Sequence, residues 1–165
     1  MRRWLKRLYN SLLNLYCSRT LSNCGEGLFV GGFSRFTTGT TIGSHCSFNG
    51  MKVLGRGSVS IGDYFHSGTN CQILTENHNF SGNSIPYDET YILKAVSIGK
   101  CVWFGNNVIV LPGVSIGEGV VIQAGSVVVS DIPDFAIAGG HPASVFAMRD
   151  VDHYKALEEI GRFHQ

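Results

Sequence analysis

The chain has 165 residues, 44% of them apolar and 21 of them glycine, with a formal net charge of +1. That balance excludes a field strong enough to select nucleic acid, and an apolar fraction this high with only four prolines excludes a disordered Pro/Gly chain. The length fits one domain, no apolar run reaches the ~20 residues of a membrane span, and Cys17, Cys24, Cys46, Cys71 and Cys101 form no CxxC pair, so buried, reduced thiols in a cytoplasmic protein are expected rather than a metal or redox motif.

Residues 1–22 predict a helix. Trp4, Leu8, Leu12, Leu15 and Tyr16 recur at helical spacing, and Arg2, Arg3, Lys6 and Arg7 make its start basic. It lacks the long apolar core and small-residue cleavage site of a signal peptide. Two uses fit it. The apolar stripe covers the open end of the domain that follows, which is the favoured expectation, or residues 1–16 rest on the anionic inner face of a membrane.

From residue 23 to residue 145 the pattern has period six. Stepping from Ile98 meets Phe104, Val110, Ile116, Ile122 and Val128, all apolar; four places further on stand Val102, Val108, Val114, Val120, Ser126 and Ile132. Glycine follows the hexad start at Gly99, Gly105 and Gly117. Upstream the phase recurs at Ile42 and Ile61, with Cys46, Phe65 and Cys71 at the fifth place and one residue inserted between Leu54 and Ile61. Helices repeat at 3.6 and strands at 2. Six residues per side and three sides per turn give a triangular coil, with short parallel strands as sides and Gly, Asn or Asp at the corners. Residues 74–96 break the repeat and read as a loop thrown out from one corner. Residues 146–165 read as a short helix, with Asp150 or Asp152 as its N-cap and Gly161 near its end.

The stretch 96–145, VSIGKCVWFGNNVIVLPGVSIGEGVVIQAGSVVVSDIPDFAIAGGHPASV, carries Trp103, Pro112-Gly113, Ala124-Gly125-Ser126, Asp131-Ile132-Pro133 and Pro142-Ala143 in a set order. It resembles the C-terminal signature of hexapeptide-repeat acetyltransferases of the galactoside, maltose, xenobiotic and surface-polysaccharide type. The resemblance implies an all-β, left-handed parallel β-helix that assembles as a homotrimer and takes acetyl-CoA as co-substrate, with no metal and no permanently bound cofactor. It also implies one histidine as general base on or beside the interrupting loop, and ENHNF puts His78 there. An alcohol is a poor nucleophile until its proton is removed, and an imidazole that titrates near neutrality suits that task. Glu76 and Asn77 are candidates to orient it. Matched onto this chain, the donor positions are Trp103, Gly105, Asn106 and Ala124. Val129 and Ser130 stand where many relatives carry Thr-Lys near the nucleotide, and Arg149 is a candidate replacement for the missing lysine. Gln123 replaces a customary glycine.

About 40 residues precede the regular coils. That points away from the serine acetyltransferases, with their long helical N-terminal domain, and from the nucleotide-sugar N-acyltransferase layout. The expected acceptor is a hydroxyl of a sugar or surface-glycan precursor, with Asn49 and Tyr87 as contacts suited to reading hydroxyls. The alternatives are a xenobiotic or other small-molecule acetyltransferase and a non-catalytic scaffold. A β-helix carbonic anhydrase would need three histidines on zinc, and after His78 no further histidine follows until His141. His45, His66, His141, His153 and His164 read as surface or structural residues.

Overall fold

The computed structural model describes residues 3–164; Arg2, one of the basic residues expected in the first helix, lies outside them. Three parallel sheets form the sides of a triangular coil. Face A stacks β1 (Asn23–Cys24), β3 (Thr40–Ile42), β6 (Val59–Ile61), β11 (Val96–Ile98) and β14 (Ser115–Ile116). Face B stacks β2 (Phe29–Gly32), β4 (Ser47–Asn49), β7 (His66–Thr69), β12 (Trp103–Phe104), β15 (Val121–Ile122) and β17 (Ala136–Gly140). Face C stacks β5 (Lys52–Leu54), β8 (Gln72–Leu74), β13 (Ile109–Val110) and β16 (Val127–Val128). Each coil runs A, B, C, so the corners are A–B, B–C and C–A.

The period-six residues are the inward ones. Ile42, Ile61, Ile98 and Ile116 stand in register, and Ile132 bridges to Ile116 as the next level. All are buried, as are Val102, Val108, Val114, Val120 and Ser126. Inside the coil Phe36, Phe48, Phe65 and Phe104 form a run with centroids 5.0, 5.3 and 5.0 Å apart. At the A–B corner one residue per coil takes positive φ: Gly27, His45, Tyr64, Cys101, Gly119 and Phe135. Gly119 is needed for a second reason, since a Cβ there would lie 2.9 Å from the Phe135 ring and 3.1 Å from the Tyr154 ring.

The phase around residue 54 differs from expectation. Val53, not Leu54, is the fully buried residue, in register with Ile73. That coil is one residue short at its B–C corner and two residues long at its C–A corner, so the net surplus of one hides the place of the change.

Helix α1 (Arg3–Thr20) lies on the first coil, but not by the expected stripe. Leu13 and Cys17 are the buried residues, and Asn14 Oδ1 accepts from the Val30 amide at 2.7 Å, satisfying an edge donor of face B. Trp4, Leu8, Leu12, Leu15 and Tyr16 face outward and are exposed. No described helix is long and apolar enough to cross a membrane. At the other end β18 (Ala143–Met148) turns back antiparallel on β17 and covers the last edge of face B, so residues 146–148, expected in the terminal helical segment, are strand. Helix α2 (Val151–Glu159) follows, with Asp150 accepting from the His153 amide as N-cap and Gly161 at positive φ beyond its end. α2 packs on the A–B corner through buried Tyr154 and an alternating ring of Lys100, Glu118, Lys155 and Glu158. Phe163 stacks on Tyr64 at 4.1 Å.

Candidate active site

The loop at the C–A corner is an ordered hairpin. β9 (Glu76–His78) pairs antiparallel with β10 (Tyr91–Leu93), placing His78 opposite Tyr91. Its root is buried Thr75, whose hydroxyl donates to the Leu54 carbonyl at 3.0 Å and accepts from the Gly57 amide at 3.1 Å. Its tip is built around Asp88, which accepts from the Thr90 hydroxyl, the Thr90 amide and the Asn83 amide; these bonds, the Thr90 hydroxyl first, hold its carboxyl below the usual range. A hairpin tied at both ends presents its side chains at fixed positions.

The His78 imidazole lies between two aromatic rings. Tyr87 stacks on it at 3.9 Å and 18°, and Tyr91 flanks it at 4.6 Å and 36°. The ring is exposed, and neither of its nitrogens is hydrogen-bonded to a described residue. Glu76 does not reach it. Its carboxylate accepts from Arg56 Nε at 2.7 Å and from the Arg56 amide at 3.2 Å, which lowers its pKa, and the Arg56 guanidinium lies 4.4 Å over Tyr91. The carboxylate expected to orient His78 is therefore bound to Arg56, whose guanidinium and backbone amide both donate to it. Asn77 is exposed and makes no bond to His78. The residues that do hold the imidazole are Tyr87 and Tyr91, backed by Arg56; Tyr91 and Arg56 had no signal in the sequence.

The expected donor residues fall in three places. Trp103, Gly105, Asn106 and Ala124 line one groove of about 370 Å³ on face B and its B–C corner, with Gly68, Gln123 and Phe146. A Cβ on Gly105 would sit 2.5 Å from the Ala124 nitrogen, so glycine lets the two coils approach closely along the groove floor. Asn106 Oδ1 accepts from the Thr69 amide, while the amide groups of Asn106 and Ala124 are not used in bonds among the described residues. They are unengaged donors on residues that line the groove. Val129 and Ser130 are exposed at the C–A corner, on the same edge of the prism as His78. Arg149 belongs to neither set: it lies at the A–B corner, where it donates to the Gly119 carbonyl at 3.1 Å and covers the Tyr154 ring. There it lines a second cavity, of about 470 Å³, between α2 and the corner, with His66, Trp103, Arg162 and His164. Burial lowers the pKa of His66, with the neighbouring His164 adding to the effect.

Of the acceptor candidates, Tyr87 is beside His78, whereas Asn49 is not. Its amide donates to the Ser67 carbonyl at 3.0 Å, a coil-to-coil bond on face B, and it lines neither groove. The cysteines offer no nucleophile. Burial pushes Cys46 up to about 12 and Cys17 up to about 11, and Cys71 and Cys101 are raised for the same reason. His66 and His78 lie on different sides of the coil, and the described residues contain no group of three metal-ligating side chains.

A triangular parallel coil with six-residue sides is the fold of the hexapeptide-repeat β-helix proteins, and this chain has that fold. Residues 95–130 match the family model described as bacterial transferase hexapeptide (six repeats). The chain is similar to the galactoside O-acetyltransferase of Lactococcus lactis subsp. lactis, 34% identical over 132 residues that cover 77% of this chain and 63% of that protein. A Staphylococcus aureus protein provisionally assigned as an acetyltransferase is 49% identical over 65 residues, 39% of this chain, so the match spans only 32% of that relative's length. Among solved structures, a galactoside acetyltransferase in complex with coenzyme A superposes with a TM-score of 0.71 at 27% identity, over 82% of this chain and 70% of that one. A hexapeptide-repeat acetyltransferase of Vibrio cholerae O1 biovar eltor, complexed with acetyl coenzyme A, gives 0.68 at 26% identity, over 79% and 73%.

Proposed function

We propose that the chain is an acetyl-CoA-dependent O-acetyltransferase that acetylates a hydroxyl of a sugar or surface-glycan precursor, with His78 as general base. The observation that carries this is the His78 imidazole, fixed between two rings with both nitrogens unengaged and open to solvent. The acceptor O–H gives its proton to an imidazole nitrogen while its oxygen attacks the thioester carbonyl carbon. The tetrahedral adduct then collapses, the C–S bond breaks, and the imidazolium returns the proton to the leaving thiolate. No acyl-enzyme is needed, in keeping with the buried thiols. The face B groove is the proposed donor site, its unengaged amides at Asn106 and Ala124 receiving the amide carbonyls of the pantetheine arm.

The carbohydrate acceptor is supported by Tyr87 and Tyr91, whose rings give an apolar surface for sugar C–H groups beside the base. The trimer is supported by the placement of the parts. In a triangular prism the C–A corner and face B are opposite one another, so His78 of one copy meets the face B groove of another, and cyclic closure makes three equal sites. The test is a product assay with acetyl-CoA and a panel of sugars and glycan precursors, reading both thiol release and the acetylated product. Transfer to a carbohydrate hydroxyl supports the proposal. Transfer only to non-carbohydrate alcohols, or no transfer at all, overturns it.

A further inference from the structure

α1 docks on the solenoid by a narrow side, Leu13, Asn14 and Cys17, and leaves the rest of its apolar surface uncovered. Trp4 is 58% exposed, Leu8 52%, Leu12 58% and Leu15 48%. At about 100° per residue these four occupy an arc of roughly 80°, and exposed Leu5, Tyr9 and Tyr16 widen it to roughly 140°. The ridge continues onto the first coil, where exposed Phe33 stacks on Tyr16 at 6.1 Å beside exposed Phe29. A contiguous apolar patch of this extent marks a docking surface.

The charges identify the occupant. Residues 1–25 contain Arg2, Arg3, Lys6, Arg7 and Arg19 and no acidic residue, whereas residues 26–165 hold eight basic and twelve acidic ones. A near-neutral chain thus keeps a segment of +5 apart from a body of −4. A second copy docked symmetrically on this ridge would set five positive charges against five. An anionic bilayer surface matches the apolar arc and the positive charge together, and it places Trp4 at headgroup depth.

We infer that α1 is a peripheral membrane anchor, lying along an anionic bilayer with its Trp4–Leu15 ridge in the interface while Leu13 and Cys17 hold it to the solenoid. Capping and anchoring are two faces of one helix. The inference stands on α1 alone and does not depend on the proposed reaction.

The experiment is co-sedimentation of the full chain with vesicles of phosphatidylcholine alone and of phosphatidylcholine with phosphatidylglycerol. The chain is expected to pellet with the anionic vesicles only, and to be released by raised salt. Each basic residue near such a surface contributes roughly a fivefold factor in partitioning, so Lys6→Gln, Arg7→Gln and Arg19→Gln together should lower the partition coefficient about a hundredfold. Leu8→Ser with Leu12→Ser should abolish binding and leave the melting temperature unchanged, because both side chains are already exposed. Failure of the parent chain to bind anionic vesicles overturns the inference. So does equal binding to neutral vesicles, or a smaller assembly for the Leu8→Ser, Leu12→Ser variant without vesicles, which would assign the ridge to another copy.

Discussion

Replacing His78 by alanine should lower kcat for acetyl transfer about 10²–10³-fold without unfolding the chain. A positioned general base contributes about 10²–10⁴-fold, or roughly 3–5.5 kcal/mol of barrier at about 1.36 kcal/mol per decade. The lower half of that range applies because no carboxylate fixes the tautomer: Glu76 is bound to Arg56, and the ring is held by stacking alone. The structural cost is separable. An aromatic pair contributes roughly 0.5–1.5 kcal/mol when well packed, and on an exposed hairpin the two contacts to Tyr87 and Tyr91 fall at the low end. The Asp88 network and the Thr75 root remain in place. For a chain of this size the melting temperature should fall by no more than a few degrees. The assay is steady-state thiol release with product quantification at saturating acetyl-CoA and acceptor, with thermal unfolding of the same samples. A variant that melts normally and turns over at the parent rate refutes the assignment of His78.

Trp103, 56% exposed and lining both the face B groove and the A–B cavity, should on change to alanine raise KM for acetyl-CoA roughly tenfold with a smaller change in kcat and no change in melting temperature. The α2 charge ring predicts a stability plateau. Lys100 and then Lys155 hold Glu158 below the ordinary carboxylate value of 4.5, so its contribution is complete above that pH and is lost as pH falls through the lowered pKa. Glu158 holds Lys100 above 10.5, so that contribution is lost only as pH rises through the raised value; a Glu158→Gln variant should show a flatter acid limb in melting temperature against pH, and an unchanged acid limb would count against the ring.

The inward ladder was legible because burial leaves few choices: an interior position in a six-residue side has to be apolar, so Ile98 to Val128 declare the coil. The phase near Leu54 was not, since Val53 and Leu54 are adjacent and both apolar, and only the register with Ile73 decides between them. The helical stripe in α1 is legible as apolar, but the docking side is the one carrying Leu13 and Cys17. Periodicity finds apolar residues, but the Val30 amide, which selected the Asn14 side, is invisible in it. At the candidate site, what the sequence shows of His78 is its place in the interruption. The pair Arg56–Glu76 and the ring contact His78–Tyr91 are not legible, because the first joins one coil to the next across 20 positions and the second spans 13 positions through a hairpin whose register the sequence does not declare. Counting sides from Ile98 assigns Trp103 and Gly105 to one face and Val129 and Ser130 to the opposite corner, so the expected donor residues never formed one site within one chain.

That separation makes a prediction about subunits. His78 lies on the C–A corner and the Asn106–Ala124 groove on face B and its B–C edge, so the proposed site needs the corner of one copy against the groove of the next. Two variants disable the two halves separately: His78→Ala removes the base, and Ala124→Trp fills the groove from an exposed position without touching the core. Each should be nearly inactive alone. Unfolded together in equal amounts and refolded, they should assemble at random, and a competent site forms wherever the intact corner of an Ala124→Trp copy faces the intact groove of a His78→Ala copy. In a cyclic assembly with one kind of junction, that pairing occurs at about a quarter of the junctions. The refolded mixture should therefore recover up to about a quarter of the parent activity, in a species that sediments as a trimer. If both halves of the site came from the same chain, every site in the mixture would carry one lesion and no activity would return. A mixed assembly of trimer size that stays as inactive as its parents would defeat both the shared site and the proposed roles of the corner and the groove.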